Sequence, residues 1–475
     1  MNKHLLFGFG VDANTSHDPA FETLRDSLLR PTERIGIESA LDENPLPQPW
    51  PATLQYNLRA RIGRIADYEA AFNETQKIQN ISTRKSRSRE LKKQYWVYKT
   101  DQIQFFNQAI YGNTPTRERF LHFWLNHFTV GTDAKSRNLI GDYIQNIIDP
   151  EMSGSFSDML YSATTHVAML HYLDNFVNIG ENSKYAKKHS REFQLGLNDN
   201  LARELLELHT VSAAKDYTED DIRALAKVLA GWFPYNLESP NALKDIGNIR
   251  VPFSEYHAEP GSKIVLGKKY GPGVSALRAV TDDLANDDLT IQHLSSKLCK
   301  HFLSDEPSVK QTRYVADVWR KTDGNLPDVH TAVLELAYDT ETKKFQSPLV
   351  WFLSMQKLSG ATLIHGWRDS IEERRIHSGV YEPGKIMKEM GYDFWEKRQP
   401  NGFSSLIQDW VSSEHMERRI RLASMTYQFG RAKNSVDEML EFLQPSKETI
   451  KLINSTKDER ARFVMFFCSK EIMGV

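Results

Sequence analysis

Residues 198–210 read Asn-Asp-Asn-Leu-Ala-Arg-Glu-Leu-Leu-Glu-Leu-His-Thr and have the spacing of an amphipathic helix. The apolar residues of this segment form one broad band, which comprises Leu201, Ala202, Leu205, Leu206 and Leu208. The polar residues recur at spacings of three and four and therefore lie on the other side of the helix. They are Asn200, Arg203, Glu204 and Glu207, and His209 follows at the end of the segment. The segment therefore predicts a helix with an amide, a guanidinium and two carboxylates on one polar stripe.

Two interpretations of this polar stripe are open. Stripes of this period are typical of surface helices with a solvated face, and spacing alone favours that interpretation. The alternative is a functional site, in which the two carboxylates perform acid–base chemistry and the guanidinium binds an anionic group. The segment indicates where to look for function, but it does not identify a reaction.

The composition is that of a soluble globular protein. The chain has 475 residues, and its 60 Lys and Arg nearly balance its 62 Asp and Glu, so a basic field for nucleic acid is absent. Two cysteines, Cys299 and Cys468, are too few for a disulfide framework or a zinc-thiolate site. No apolar run approaches the roughly 20 residues that a membrane span requires. Because Met1–Val11 lacks a clear signal-peptide pattern, we expect a cytoplasmic location.

The predicted fold class is mainly α, with one large multi-helical domain and a small irregular or β-hairpin insertion. Residues 1–104 form an N-terminal lead-in and helical segment, in which prolines 45, 47, 49 and 51 predict an extended connection. Residues 105–430 form the helical core domain, and residues 431–475 form C-terminal helices packed on it. Within the core, residues 233–275 are the insertion, where 263–266 is the best strand candidate and Val251 and Phe253 are its expected partners.

A basic stretch interrupts the first helical segment. It comprises Arg84, Lys85, Arg87, Arg89, Lys92 and Lys93. Contact with an anionic surface is one interpretation, but a solvated helix face or a mobile loop is favoured because few aromatic residues interleave with the charges.

The histidines do not form a recognisable metal motif. His122 and His127 are five residues apart, and so are His166 and His171, which is not the i, i+4 spacing of a helical metal site. Their aromatic and apolar neighbours favour core histidines. Glu204, Glu207 and His209 match no zinc motif, so a divalent metal is left open and no cofactor is assigned.

The segment Tyr172-Leu173-Asp174-Asn175 ends a predicted helix. Such residues usually make turn and capping bonds. The alternative is that Asp174 faces Arg203 in a buried ion pair that orients Glu204 or Glu207 and shifts its pKa. No dinucleotide-binding, Walker or nucleophile-elbow motif occurs in the chain, which argues against dinucleotide or ATP chemistry of the familiar kinds.

A succession of motifs resembles the large bacterial family called domain of unknown function 1800. The first three are Phe123-Trp124-Leu125-Asn126-His127-Phe128, Tyr172-Leu173-Asp174-Asn175 and Asn198–Thr210. The others, in order, are Tyr217-Thr218-Glu219, Gly231-Trp232, His257, Leu266-Gly267, Lys297–Asp305, Asp323-Gly324, Phe345-Gln346-Ser347-Pro348 and Met390-Gly391. The resemblance covers roughly residues 105–430.

The resemblance implies a mainly helical bacterial protein with no established reaction. Family members are often encoded beside an exported, sulfatase-like protein, which is the partner that the resemblance suggests, and many members look exported themselves. One departure is Leu125, which stands where members commonly have the first histidine of Trp-His-Asn-His-Phe. If that histidine served a metal or a proton transfer, this chain has lost it.

Two functional hypotheses follow. The first is a hydrolase in which Glu204 and Glu207, with His127 and Asp174, form the catalytic set. Its substrate-binding set comprises Arg203, Asn200, Asn126, Asn175 and His257. The second is a non-catalytic binding or assembly protein, acting with a sulfatase-like partner, in which the same residues form a structural polar network.

The apolar band of residues 201–208 needs neighbours in the core, and the family motif includes the polar residues of the stripe as well. We therefore expect the stripe to face inward, toward residues 122–128. An enzyme requires a cleft that holds several of these groups, and at least one carboxylate in it should have a raised pKa. A structural network should instead be closed and internally paired.

Overall fold

The computed structural model describes residues 20–95, 97–131, 136–189, 196–212, 217–232, 237, 253–339, 344–371, 381–393, 395–396 and 399–475. The N-terminal segment Met1–Val11 and residues 233–236 and 238–252 of the expected insertion, Val251 among them, therefore lie outside the described residues.

Helices dominate the described chain. In the first half they are α1 (Phe21–Leu29), α2 (Leu58–Gln76), α3 (Ile81–Tyr95), α4 (Tyr98–Tyr111), α5 (Pro115–His127), α6 (Ile140–Tyr143), α7 (Asp149–Glu151), α8 (Phe156–Thr165), α9 (Val167–Tyr172), α10 (Lys184–His189), α11 (Asn200–Glu207) and α12 (Glu219–Leu229). In the second half they are α13 (Val274–Ala285), α14 (Asp288–Phe302), α15 (Val309–Lys321), α16 (Leu326–Asp339), α17 (Pro348–Ser359), α18 (Trp367–Ile371), α19 (Pro383–Glu389), α20 (Ser413–Phe429), α21 (Val436–Leu443), α22 (Lys447–Ile453), α23 (Glu459–Phe467) and α24 (Lys470–Met473). A π-helical turn, Ile144–Ile148, joins α6 to α7.

Three helices are buried on all sides and form the centre of the fold. Residues 101–110 of α4, all of α17, and every residue of α5 except Pro115 and Asn126 are buried. Ser347 caps α17, Pro348 occupies its first turn, and Gly360 ends it in the left-handed conformation. Because these helices also carry charged and amide side chains, the centre holds polar groups that must find partners inside the protein.

The β structure within the described residues is limited to two short antiparallel pairs. Strand β1 (Ile35–Gly36) pairs with β2 (Gln48–Pro49), and β3 (Lys263–Val265) pairs with β4 (Lys268–Tyr270). Leu266 and Gly267 join β3 to β4, and both have positive φ, as a two-residue hairpin turn requires. The predicted strand is confirmed, but Phe253 as its partner is wrong, because Phe253 instead bridges Trp232.

One contiguous apolar core runs from Leu24 in α1 to Met473 in α24. The fold class is thus confirmed as mainly α with a small β-hairpin. The boundaries after residues 104 and 430 remain a prediction. None of the described helices combines the length and the apolar character that crossing a bilayer would need.

Candidate functional site

Helix α11 buries its apolar band and presents its polar stripe at the surface. Leu201, Ala202, Leu205 and Leu206 are fully buried, as predicted. Arg203 contacts Asp199 at 3.3 Å, Glu207 at 3.7 Å and the exposed Glu219 of α12 at 2.9 Å. The expected inward orientation of the stripe is therefore wrong. Its two glutamates are half-buried, and Glu207 shares the Arg203 guanidinium with Asp199 and Glu219.

The two glutamates of the stripe influence each other. Burial raises the pKa of Glu204, the charge of Glu207 adds to that rise, and Arg203 opposes it. Burial and the neighbouring Glu207 carboxylate also raise the pKa of Tyr217 to about 12. Asn200 begins the helix, and its backbone N–H donates to Asn198. The stripe is a local network of partly solvated charges.

We expect Glu207→Gln to change the free energy of unfolding by no more than about 1 kcal/mol, because partly exposed ion pairs contribute little and Arg203 keeps two other carboxylates. Urea denaturation of the variant measures this change. A loss of several kcal/mol would show that the pair carries stability that its exposure does not predict.

The residues predicted near the 172–175 motif are separate from this stripe. Asp174 is exposed and has a positive φ of 55°, so it forms no buried ion pair with Arg203. Asn175 is fully buried and donates to the carbonyls of Leu229 and Trp232. His257 is half-buried, and its Nδ1 lies 2.8 Å from the Ser254 hydroxyl. Asn175 thus braces the end of α12, and His257 belongs to the following loop.

His127 lies at the buried end of α5, where it contacts both the segment that follows α11 and helix α14. Its Nε2 is 3.2 Å from the carbonyl oxygen of His209, and its Nδ1 is 2.9 Å from Nζ of Lys297. A carbonyl only accepts, so Nε2 carries the proton and Nδ1 accepts from the lysine. Burial, and then the charge of Lys297, hold the pKa of His127 well below its usual value. The prediction that His122 and His127 are core histidines is confirmed by their burial.

Lys297 belongs to a one-sided stripe on α14. His293, Lys297 and His301 recur every four residues and therefore share a face of the helix. Burial lowers the pKa of Lys297 to about 8 and that of His293 to about 4. Burial and the charge of Arg119 keep His301 neutral by holding its pKa well below its usual value.

A cleft of about 440 Å³, its open mouth included, lies where α5, α14 and α17 meet the loop around residue 403. We call it the anion cleft. The residues that line it are Arg119, Asn126, His301, Phe302, Lys344, Phe345, Gln346, Ser347, Val350, Tyr392, Phe403, Ser404 and Ser405. Two of these are cations, and none is an aspartate or a glutamate.

The cations of the anion cleft are buried. Burial lowers the pKa of Arg119 to about 10 and lowers that of Lys344, which also forms an ion pair with Asp305. Nε2 of His301 is buried and has no hydrogen-bond partner among the described residues. The lining of the cleft itself therefore carries positive charge.

Asn126 fixes one wall of the anion cleft. Its side-chain amide donates to the carbonyl of Phe403 at 2.8 Å and accepts from the Phe403 N–H at 2.6 Å. Gly402 allows this approach, because its φ is +66° and a Cβ there would lie 2.2 Å from the Asn126 carbonyl oxygen. The ring of Phe403 stacks on that of Tyr392 with centroids 4.1 Å apart.

The structure therefore divides the predicted site residues into three places. Asn126 lines the anion cleft, and His127 lies behind it with His209. Asn200, Arg203, Glu204 and Glu207 lie on the surface stripe of α11. Asp174, Asn175 and His257 lie around the ends of α9 and α12. None of the described cavities is lined by residues from all three places.

Sequence reasoning missed three residues of the anion cleft, His301, Lys344 and Tyr392, and also Lys297, which lies on the same helix as His301. All four lie within or beside three quoted family motifs, the segments 297–305, 345–348 and 390–391. The family motifs at these three segments were the only indication in the sequence that these residues belong to a site. No group of three or more His, Cys, Asp or Glu in the described parts of the chain is arranged to hold a metal ion.

Comparison with known proteins gives one match. A search of curated proteins and a search of solved structures each found nothing similar. The sequence model of a family described as "Protein of unknown function (DUF1800)" matches residues 11–465, well beyond the region 105–430 that the quoted motifs cover. The chain therefore belongs to the DUF1800 family.

Proposed function

We propose that this protein binds a ligand through an anionic group, a phosphate, sulfate or carboxylate, held in the anion cleft. The observation that carries the proposal is the lining itself, where buried Arg119 and Lys344 face a cavity with no acidic side chain. Burial makes both cations costly to keep charged, and it lowers the pKa values of Arg119 and Lys344 accordingly. An anion in the cleft would offset part of that cost.

Two further features favour an anion at this position. Ser347 and Val350 bring the N-terminal end of the 12-residue helix α17 to the cleft, and the N–H groups and dipole of a helix N-terminus attract negative charge. Behind the cleft, the fully buried Arg419 donates to the Gln346 carbonyl at 2.6 Å and stacks over the rings of Phe345 and Trp351. Arg419 adds positive potential without touching the ligand.

Ligand binding is the hypothesis that this geometry supports best. The carboxylates proposed for hydrolysis, Glu204 and Glu207, lie on the half-exposed stripe of α11 and line none of the described cavities. Assembly with a sulfatase-like partner and location in the cytoplasm stay proposals from the sequence. Co-purification of the two proteins from co-expressing cells tests the first of these, and cell fractionation tests the second.

Hydrolysis of an anionic ester is the second candidate, and Lys297 is the observation in its favour. A lysine with a pKa of about 8 has the proton affinity of an effective general base near neutral pH. It lies one helical turn before His301, which lines the cleft. A screen of phosphate, sulfate and carboxylate esters tests the candidate, since hydrolysis that Lys297→Met abolishes would support it.

The anion cleft predicts that sulfate or inorganic phosphate stabilises the protein. At constant ionic strength, replacing chloride by either anion should raise Tm, because a ligand that binds only the native state stabilises by about 2.7 kcal/mol at 100 times its Kd. Lys344→Met should lose most of this rise. Lys300→Met is the matched control, because Lys300 is exposed on the same helix as His301.

Two results would contradict the proposal. Equal anion-dependent rises in Tm for the Lys344 and Lys300 variants would place the binding outside the cleft. No rise for any of sulfate, phosphate or acetate would show that the cleft does not take a simple anion. Isothermal titration of the wild type with the same anions separates binding from general salt effects.

A further inference from the structure

Helix α3 carries a concentration of positive charge on the outside of the protein. It begins after Asn80, whose side-chain oxygen accepts from the Thr83 N–H at 3.0 Å, and it packs on α2. The helix holds six Lys and Arg and one glutamate, a net charge of +5 in a chain whose net charge is −2. Among its described side chains, Leu91 alone is buried. Helix α3 is therefore a largely solvated basic surface, and it contributes no residue to the anion cleft.

Three of these cations lie along one side of the helix. Lys85, Arg89 and Lys92 follow one another at spacings of four and three residues, and all three are exposed. We call them the basic stripe. Lys85 and Arg89 form no ion pair with any residue that the structure describes. Like charges at these spacings repel each other, so an anionic surface laid across the stripe would relieve that repulsion.

Two other cations of α3 have partners within or beside the helix. Arg87 contacts Glu90 at 3.0 Å, and the half-buried Arg84 donates to the Ile78 carbonyl at 3.3 Å. Glu90 is the only acidic residue of α3, and it lies beside Arg87 rather than beside the basic stripe. The stripe therefore faces solvent without a carboxylate of its own helix paired to it.

An exposed apolar side chain extends the basic stripe toward the start of the helix. Ile81 lies one turn before Lys85, on the same side of α3, and is 59% exposed. The stripe has no aromatic residue, and residues of α3 line none of the described cavities. The surface is thus convex, with an aliphatic side chain at one end and a row of cations behind it.

We propose that the basic stripe docks the protein reversibly on an anionic lipid bilayer, with Ile81 in the bilayer interface. Lipid phosphates form a surface that cations on one side of a helix reach together. The interface also accepts an apolar side chain beside them, whereas the phosphate backbone of a nucleic acid offers no apolar site. Binding to single strands would further require aromatic rings on which bases stack, and the stripe has none.

Sedimentation of the full chain with lipid vesicles tests the proposal. Vesicles of phosphatidylcholine with about 30% phosphatidylglycerol should bind roughly 100-fold more tightly than phosphatidylcholine alone, because each of the three cations contributes about fivefold on an anionic surface. Raising the salt from about 0.1 M to about 1 M shortens the Debye length from about 10 Å to about 3 Å and should remove most of this preference.

Two charges of the stripe can be removed against a matched control. Lys85→Gln combined with Arg89→Gln should weaken binding to the anionic vesicles roughly 25-fold. Lys310 and Arg313 are likewise two exposed cations on one helix, α15. Lys310→Gln combined with Arg313→Gln removes the same charge and should leave vesicle binding unchanged. Both double variants should keep the wild-type Tm, because the replaced side chains are exposed.

The apolar contact has its own variant and control. Ile81→Ser should weaken binding to the anionic vesicles several-fold and leave the salt dependence as it was, because it removes apolar surface and no charge. Val309→Ser, at a valine that is 74% exposed, should bind as the wild type does.

Four results would overturn the proposal. They are no binding to anionic vesicles at low salt, equal binding to neutral vesicles, and equal losses in the stripe variant and the Lys310 and Arg313 control. The fourth is binding of duplex DNA that the Lys85 and Arg89 variant loses and Ile81→Ser retains, which would assign the stripe to nucleic acid.

Discussion

Replacing Asp101 by asparagine should lower the free energy of unfolding by about 3–5 kcal/mol, the cost of leaving one charge of a buried pair uncompensated. Asp101 forms two hydrogen bonds with Arg61, Oδ2 to Nη1 at 2.6 Å and Oδ1 to Nη2 at 2.8 Å. Arg61 has no exposed surface, and two more of its N–H groups donate to the carbonyls of Tyr56 and Asn138. Asparagine would turn an N–H toward the guanidinium, and water cannot replace the lost acceptor.

Urea denaturation of Asp101→Asn measures this loss, and the exposed pair of Arg25 and Glu22 supplies the control. Glu22→Gln should change the free energy of unfolding by less than about 1 kcal/mol, because that pair is solvated. Gly141 packs against the same carboxylate, since a Cβ there would lie 2.2 Å from Cγ of Asp101. A cost below about 1 kcal/mol for Asp101→Asn would show that the site rearranges or admits water.

The helical fold was predictable because the apolar period of each helix is local. Leu201, Leu205 and Leu206 share a face in the sequence and are buried together in the structure. The period identifies which residues share a face, but it does not identify the surface that the opposite face meets. In the structure, Arg203 contacts Glu219 of α12, a residue 16 positions later. The direction in which the polar stripe faces depends on how α12 packs beside it, and the sequence does not encode that packing.

The anion cleft was less predictable because its members are far apart in the chain. Arg119, His301 and Lys344 come from three segments, and each in isolation resembles an ordinary surface charge or a core histidine. Asn126 was identified through the family motif, but its hydrogen bonds to the backbone of Phe403, 277 positions later, could not be read from that motif. Tertiary packing, which a period of 3.6 residues does not encode, brings these side chains to one place.

The Glu118 carboxyl makes stability depend on pH, and Glu118→Gln should remove that dependence. An unfolded glutamate loses its proton near its ordinary pKa of 4.5, whereas native Glu118 keeps its proton up to about pH 8. Between these values the native state binds more protons, so the wild type loses stability as pH rises. At about 1.36 kcal/mol per pKa unit, the shift from 4.5 to about 8 corresponds to about 5 kcal/mol in the free energy of unfolding. This figure is an upper value that applies to a carboxyl that water does not reach.

Glutamine resembles the protonated acid in shape but does not titrate. Glu118→Gln and the wild type should therefore have similar free energies of unfolding at pH 5, and the variant should become the more stable by several kcal/mol as pH approaches 8. Urea denaturation at intervals of about half a pH unit measures the difference in the free energy of unfolding between the two proteins. Because both proteins contain the same histidines, the titration of the histidines cancels in that difference. Glu417→Gln, at an exposed position on α20, should leave the curve parallel to that of the wild type. The two curves diverge only if the carboxyl keeps its proton in the native state. A constant difference in the free energy of unfolding between Glu118→Gln and the wild type from pH 5 to 8 would therefore mean that native Glu118 ionises like an exposed glutamate.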